Sequence, residues 1–429
     1  CRNDLLFALA ELNYFFAMRQ RQGGVEKSRP HFFASAIYAS LYLLSKDWLE
    51  RPSPYDRRFR IACDLYNNSL AQALTDANGM RLTAPTKVEL PVGSFAFSVD
   101  ASQFHQHLDQ LEKFLSADTF GVRGVSRRNR EAGMGAPIIA VEKKPAEAPM
   151  FRSSPGTLFL WFKCTLQEID AGACNAALEL HSVYNQTEIT VDGQKIPLER
   201  DVTTQLAYTI GQPYVQSLGF NEFLHGTGYI KSGLFYMQPY EPDKIPIVLV
   251  HGTFSSPVAW AEMANTLRAD PIVNRKYQIW NFFYDSGKRI GASAHELREA
   301  LSAQVHQVDP EGTNAALRQM VVIGHSQGGL LTKLTAADTG DAFVRMATGK
   351  SLAQLDVSAE ERARLEKESV FTALPFVKRV VFIATPHRGS FLSKNWVRTL
   401  VLKMITLPKG VLQSTANLMH TIGRLGVSE

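Results

Sequence analysis

Hydrophobic positions along the chain recur with three different periods, and each period covers its own stretch. Over residues 4–75 apolar residues recur at helical spacing. From Leu90 to about Ile210 the period changes to two, which is typical of strands. From Ile245 onward, short β-branched runs alternate with amphipathic helical patterns. We therefore expect three domains: a helical array over 1–85, a β-rich accessory domain over 86–230 and an α/β domain over 231–429.

The helical part contains three amphipathic patterns whose starts recur about every 26 residues. Pro30 and Pro52 mark the joints between them. The arrangement is similar to tetratricopeptide-type helix pairs, although it lacks a sustained consensus. It predicts either a docking surface for a protein partner or a helical cap that packs on its neighbour.

The middle part shows strand and hairpin signals. Residues Ser94 to Val99 alternate, and Asp192-Gly193 separates two β-type runs, which is a strong hairpin signal. We interpret this part as a β-rich domain, sandwich-like in architecture, with a solvated loop over Arg123 to Met150. His105 and His107 fall in an amphipathic helical pattern, where a spacing of two places them on different faces and gives no metal site.

The last part alternates strands and helices, which requires a parallel sheet joined by right-handed crossovers. The predicted strands are Gly233 to Glu241, Ile245 to Val250, Tyr277 to Phe283, Met320 to Ile323 and Arg379 to Ala384. The predicted helices are Val258 to Leu267, Ala294 to Val308 and Gln327 to Ala337.

One strand of this sheet ends in Gly324-His325-Ser326-Gln327-Gly328, a G-x-S-x-G motif at a strand-to-helix turn. Two glycines remove side chains that would collide in so sharp a turn. The turn lifts the Ser326 hydroxyl into the open, so Ser326 is the candidate nucleophile. A bare G-x-S-x-G also arises by chance in ordinary glycine-rich turns, so its context decides.

That context consists of three segments: IPIVLVHGTFSSP from Ile245, VVIGHSQGG from Val321 and VVFIATPHRGS from Val380. Together they resemble the serine lipases and esterases of the α/β-hydrolase fold, bacterial lipases among them. The resemblance covers about a third of the chain. It implies an α/β-hydrolase-type sheet, ester hydrolysis through an acyl-enzyme on Ser326, and an oxyanion hole formed by the backbone N–H groups of Thr253 and Gln327.

The rest of the catalytic apparatus is harder to find, because in this fold an acid and a histidine follow the serine in chain order. After Ser326 the sequence offers two histidines as the base, His387 and His420. His387 lies in a loop motif near the nucleophile, and His420 lies in an apolar helical pattern. Asp285 precedes the serine and is therefore in the wrong order for the acid.

Three interpretations follow. The chain is part of a true lipase or esterase whose acid and histidine lie beyond Glu429, or an esterase that uses His387 or His420 in a rearranged triad. In the third, it is a non-catalytic binding or scaffold module on a degenerate hydrolase fold. We favour the first, which predicts that residues 1–429 alone have little esterase activity.

Composition narrows the other possibilities. The chain has 429 residues, a formal charge of +5, and no basic run interleaved with aromatic residues, so nucleic acid is not an expected partner. The longest apolar run, Phe32 to Leu44, has 13 residues, too few to span a membrane. No cofactor or metal site is expected. Of the four cysteines, Cys164 and Cys174 can pair, whereas Cys63 lies in an apolar helical pattern and is expected to be a buried thiol.

Two further features point to lipid. Cys1 as the first residue is compatible with a lipid-bearing bacterial lipoprotein, which favours the cell envelope over the cytoplasm, or with an arbitrary fragment boundary. Residues Phe391 to Ile422 predict a lid over the site, with Trp396 on its apolar face and lysines and arginines beside it, or else a helix packed on the sheet. The lid predicts an acyl-ester or lipid substrate and peripheral membrane contact.

Overall fold

A computed structural model describes residues 2–44, 52–80, 82, 87–91, 93–122, 125–143, 153–162, 166–184, 186–211, 232–253 and 255–388. By contact density the chain divides into two compact units, Cys1–Gln212 and Pro213–Glu429. The boundary expected near residue 85 falls inside the first unit, and the one expected near 230 lies outside the described residues. Cys1, Cys164, His420 and the segment from Phe391 to Ile422 also lie outside them.

The described α-helices are α1 Arg2–Gln20, α2 Val25–Leu43, α3 Arg57–Leu74, α4 Leu166–Asp170, α5 Val202–Ile210, α6 Ala261–Ala269, α7 Pro271–Lys276, α8 Ile290–Val308, α9 Gln327–Lys333, α10 Ala342–Thr348 and α11 Ala359–Ser369. The described strands are β1 Thr75–Asp76, β2 Gly79–Met80, β3 Val88–Glu89, β4 Ser94–Asp100, β5 Leu111–Ser116, β6 Arg130–Glu131, β7 Ala136–Glu142, β8 Ser153–Phe162, β9 Cys174–Ser182, β10 Glu188–Val191, β11 Gln194–Pro197, β12 Arg200–Asp201, β13 Gly233–Tyr236, β14 Ile245–Val250, β15 Tyr277–Phe283, β16 Met320–His325 and β17 Val377–Ile383.

The first unit begins with the three expected helices. Asp56 caps α3 by accepting a hydrogen bond from the Arg58 N–H. Helix α2 begins at Val25, so Pro30 lies inside it and does not mark a joint as expected. One face of α1 is exposed and carries large apolar side chains: Leu5, Leu12, Phe15, Phe16 and Met18. Within the described residues, no helix is both long and apolar enough to cross a bilayer.

The described β part of this unit consists of a mixed eight-stranded sheet in the order β1-β2-β5-β7-β8-β9-β4-β3 and two small two-stranded sheets, β10-β11 and β12-β6, and it is not the expected sandwich. Strand β4 runs parallel to β9, and the other neighbours are antiparallel. The helices provide the covering layer that a second sheet would have supplied: Phe33 of α2 packs edge-on against Phe95 of β4, with ring centroids 5.4 Å apart. Tyr66 of α3 donates a hydrogen bond to the Leu160 carbonyl of β8 at 2.8 Å.

A single hydrophobic core therefore joins the helices to the sheet. Each layer has one apolar face that must be buried, and burying them against each other satisfies both. The helical cap packed on its neighbour describes this arrangement better than a free-standing array.

A buried ionic cluster also ties α3 to the small β6-β12 sheet and the residues that flank it. The Glu199 side chain is 1% exposed and accepts from Arg130 at 2.8 Å and from Arg60 at 3.2 Å. Asn67 of α3 and the Gly133 N–H also donate to its carboxylate. A buried carboxylate is tolerated when it has this many donors.

The histidines of the first unit take structural roles. His105 and His107 lie in the irregular segment between β4 and β5, and not in a helix as expected. The His105 ring lies 3.1 Å from each of two hydroxyls, those of Ser154 and Ser182, and its burial lowers its pKa to about 4.

Cys63 is a buried free thiol, and Cys174 is disulfide-bonded.

The second unit contains a five-stranded sheet in the order β13-β15-β14-β16-β17. Strands β14 to β17 are mutually parallel, and the bounds of β14 and β15 coincide with the predicted ones. The edge strand β13 runs antiparallel to β15, so the sheet is mixed and not wholly parallel as expected. The 237–244 connection joins β13 to β14 and is too short for the crossover that parallel strands require. Strand β13 therefore runs antiparallel to β14, and hence to β15, which is parallel to β14.

The sheet of this unit is covered on both faces. One apolar cluster includes Val248, Trp280 and Val322, and the other includes Leu249, Ile279 and Ile323. Such double burial explains why these strands are nearly continuous apolar runs in the sequence. It leaves the carboxyl ends of the parallel strands as the edge from which polar loops emerge.

Candidate functional site

Ser326 lies between β16 and α9 in a backbone conformation that L-residues rarely adopt. Its φ is 51° and its ψ is −122°. The Ser326 N–H donates to the Ile383 carbonyl of β17 at 2.9 Å, and its own carbonyl accepts from the Gly329 N–H at 3.1 Å. These bonds hold a strained residue in place, and such strain is found most often at functional positions.

Two glycines make the turn possible through close approach. A Cβ on Gly324 would lie 2.4 Å from Thr332 Oγ1 and 2.5 Å from the Gly328 carbonyl oxygen. A Cβ on Gly328 would lie 2.2 Å from the His251 carbonyl oxygen. Both positions therefore exclude any larger residue unless the backbone shifts, as the G-x-S-x-G motif predicts.

The loop after β14 lies directly beside this turn. An ideal Cβ on Gly252 would come within 3.0 Å of Ser326 Cβ. The Thr253 hydroxyl donates to Gln327 Oε1 at 2.5 Å, and Gln327 Nε2 donates to the Ser286 carbonyl at 3.2 Å. The structure thus brings together three residues named from the sequence, Ser326, Thr253 and Gln327.

Among the described residues, the backbone N–H groups of Thr253 and Gln327 donate to no protein acceptor, and the Ser326 hydroxyl has no hydrogen-bond partner. Unpaired N–H groups are uncommon in a folded chain unless water or a ligand satisfies them. Two such donors beside a half-exposed serine can stabilise negative charge on a substrate oxygen.

His251 anchors the same loop from within the core. Its Nε2 accepts from the Tyr284 N–H at 3.2 Å, so its proton is on Nδ1, which lies 2.9 Å from the Gly252 carbonyl oxygen. The Tyr284 hydroxyl donates to the His251 carbonyl at 2.9 Å, and the two rings stack at 4.4 Å. Burial lowers the pKa of His251 to about 4, so its ring is neutral at neutral pH.

The candidate bases and acids are not joined to the serine by hydrogen bonds in the described part of the chain. His387 is exposed after β17, and its ring packs edge-on against Phe382 at 4.6 Å. Asp285 accepts from the Gly287 N–H at 2.8 Å in a local turn. His420 lies outside the described residues. The described residues contain no group of three or more metal-ligating side chains that could hold an ion.

Two contacts at this site have no signal in the residue pattern. The packing of His251 on Tyr284 joins residues 33 positions apart, and the Gln327 contact with Ser286 joins residues 41 positions apart. Tyr284 and Ser286 follow β15, so only the order of strands in the sheet brings them to the serine. A sequence pattern shows where strands end but not which strands are neighbours.

No protein-family profile matches the chain, and no curated protein matches it. Among solved structures, it is similar to two of the lipase BlEst2 of Bacillus licheniformis, one of the mature form and one of the propeptide form, each at 20% identity and a TM-score of 0.21. The similarity covers 45% of this chain and 64% of the mature lipase, and 46% of this chain and 36% of the propeptide form. The chain thus has distant lipase neighbours that span part of its length.

Proposed function

We propose that this chain is a serine carboxylic-ester hydrolase, a lipase or esterase, built on an α/β-hydrolase-type sheet. The observation that carries the proposal is the strained Ser326 beside the Thr253 and Gln327 N–H groups, neither of which donates to an acceptor among the described residues. A nucleophile and an oxyanion hole are the two parts of acyl transfer that geometry can test directly.

In the proposed reaction, Ser326 Oγ attacks the ester carbonyl carbon while its proton passes to a histidine base. The carbonyl oxygen becomes an oxyanion and accepts from the Thr253 and Gln327 N–H groups. The carbon–oxygen bond then breaks, and the alcohol leaves with the proton. Water attacks the acyl-enzyme, which releases the carboxylic acid and returns the proton to Ser326.

The proposed reaction also needs a histidine base. Within this sequence, the candidates for the base are His387 and His420. We also retain the binding-module alternative, since no described group is hydrogen-bonded to the Ser326 hydroxyl. If the chain is an esterase, the helical and β-rich part is an accessory region of the enzyme. If the chain is a binding module, that part is the partner-binding region.

The decisive experiment measures covalent labelling of Ser326 by an alkyl fluorophosphonate, together with hydrolysis of short-chain and long-chain nitrophenyl esters. In the full natural polypeptide, Ser326→Ala should abolish both the label and turnover, because the nucleophile is lost while the fold is kept. The matched control is Ser302→Ala, a half-buried serine of α8, which should behave as the wild type.

If neither His387 nor His420 acts as the base, residues 1–429 should hydrolyse esters at only about 10³- to 10⁴-fold over water, the rate enhancement that remains when a triad lacks its base. Strong Ser326-dependent turnover by this chain would place the base at His387 or His420. A wild-type polypeptide that neither takes the label nor turns over esters would support the binding module.

A further inference from the structure

We infer that the Thr253 hydroxyl and the Gln327 carboxamide form a positioning pair that fixes the two oxyanion-binding amides relative to each other. This inference rests on the proposed function and adds side-chain roles that the G-x-S-x-G motif does not specify. The residues act through the backbone N–H groups that they hold, so they are positioning residues in this role.

A side-chain hydrogen bond joins Thr253 and Gln327 directly. The Thr253 hydroxyl donates to Gln327 Oε1 at 2.5 Å, which joins the very residues whose amides face the site. The other end of the same carboxamide, Nε2, donates to the Ser286 carbonyl at 3.2 Å. One side chain therefore crosslinks the loops that follow β14, β15 and β16. Relative movement of the two amides would break at least one of these bonds.

The peptide that joins Gly252 to Thr253 is also held in place. The described residues contain no cis peptide bond, so the Gly252 carbonyl and the Thr253 N–H point in opposite directions. His251 holds that carbonyl from the core side through Nδ1 at 2.9 Å. The peptide plane is thus fixed by His251 on one side, and the residue after it is fixed by Gln327 on the other. The Thr253 N–H is aimed before any substrate arrives.

The hydrogen bonds of the pair distinguish a positioning role from direct donation to the oxyanion. A hydroxyl beside an oxyanion hole could itself donate to the oxyanion. Here the Thr253 hydroxyl already donates its proton to Gln327 Oε1, and the Gln327 Nε2 N–H donates to the Ser286 carbonyl. If the pair positions the amides, the two side chains depend on each other; if the hydroxyl is a direct donor, removal of the Gln327 acceptor leaves it free to act.

The experiment is a double-mutant cycle in the full natural polypeptide, with kcat and KM for a short-chain ester and the rate of Ser326 labelling by an alkyl fluorophosphonate. Thr253→Val and Gln327→Met each remove the bond while keeping side-chain size and the backbone N–H. Each should lower kcat and the labelling rate about tenfold with KM unchanged, less than the 10²- to 10³-fold effect of deleting a donor outright. The double variant should lose no more than either single variant, because the residues act as a unit.

Two variants provide the controls. Thr253→Ser retains the hydroxyl and should recover most of the loss, which a purely structural effect of altered packing would not do. Thr313→Val removes an exposed hydroxyl from the loop that precedes β16, at the opposite edge of the sheet, and should leave kcat unchanged.

The remaining outcomes each overturn the inference. Wild-type kcat in Gln327→Met with a loss in Thr253→Val would make the hydroxyl a direct donor, and a multiplicative loss of about a hundredfold in the double variant would make the residues independent. A wild-type polypeptide that neither takes the label nor hydrolyses esters removes the proposed function and this inference together. Normal wild-type activity with unaffected variants removes this inference alone.

Discussion

At the residue scale, His251 is a buried base whose ionisation opposes folding. Its pKa is about 4 in the folded chain, because burial disfavours the charged ring, against about 6.5 when it is unfolded. Between these values the unfolded state binds more protons. The stability that neutral His251 contributes is therefore complete above the unfolded pKa and is lost as pH falls towards 4.

This linkage predicts that the second unit loses about 2 kcal/mol of unfolding free energy between pH 7 and pH 5 through His251 alone. Urea unfolding of the wild type and of His251→Gln at both pH values checks this, because the variant lacks the titrating ring. His105→Gln is the matched control: His105 also has a pKa lowered to about 4, but it lies in the first unit. An equal pH dependence in wild type and His251→Gln would contradict the assignment.

The elbow glycines give a second prediction at this scale. Gly328→Ala should lower the unfolding free energy by about 1–3 kcal/mol, because its Cβ would overlap the His251 carbonyl and force the backbone to shift. Gly121→Ala adds a Cβ that meets nothing within 4 Å and should have little effect. Urea unfolding measures both. A Gly328→Ala variant as stable as the wild type would show that the turn is looser than described.

At the element scale, the attachment of α3 to the small β6-β12 sheet of the first unit depends on buried charge. Arg130→Met should destabilise this unit by about 3–5 kcal/mol, because Glu199 would lose its shortest ionic partner inside the core. Lys195→Met removes an exposed ion pair with Glu188 and should cost at most about 1 kcal/mol. Urea unfolding of the two variants tests the contrast, and similar losses in both would contradict it.

The bounds of a strand could be predicted from the sequence where the whole strand is buried on both faces. Strands β14 and β15 are buried on both faces, so their apolar runs begin and end with the strands. Helix α9 ends at Lys333 and not at Ala337 as expected, because the Thr335 carbonyl accepts from the Leu374 N–H at 2.8 Å, a contact between distant segments. The pairing of β13 with β15 could not be predicted either, because the sequence pattern does not show which strands are neighbours in the sheet.

The proposed site divides in the same way. Ser326 could be named from its motif, and Thr253 and Gln327 from the resemblance to serine lipases and esterases, and all three follow strand ends. The His251 anchor and the Ser286 contact could not, because each requires knowing that β15 lies next to β14. The residues whose backbone N–H groups face the site lie in local sequence motifs. The side chains that position those N–H groups come from segments that follow neighbouring strands.

At the scale of the whole molecule, each compact unit has its own core. Phe33→Ala in the first unit and Trp280→Ala in the second remove fully buried side chains, and each should cost about 3–5 kcal/mol. Since the cores are separate, each substitution should shift a different thermal transition in calorimetry. A single transition that both substitutions shift equally would show that the units unfold together.

The parallel pairing of β4 with β9 has a consequence for synthesis on the ribosome. Phe95 lies opposite Cys174, so the central partner of β4 emerges roughly 80 residues after it. At about 5–20 residues per second, the edge of β4 waits about 4–16 s with only the short β3 beside it. Strand β4 also carries Phe95 and Phe97, both of which are buried in the folded protein. An apolar edge left open for seconds invites pairing with other nascent chains, so the yield of folded protein should depend on translation speed and on chaperones that cover this strand until β9 arrives.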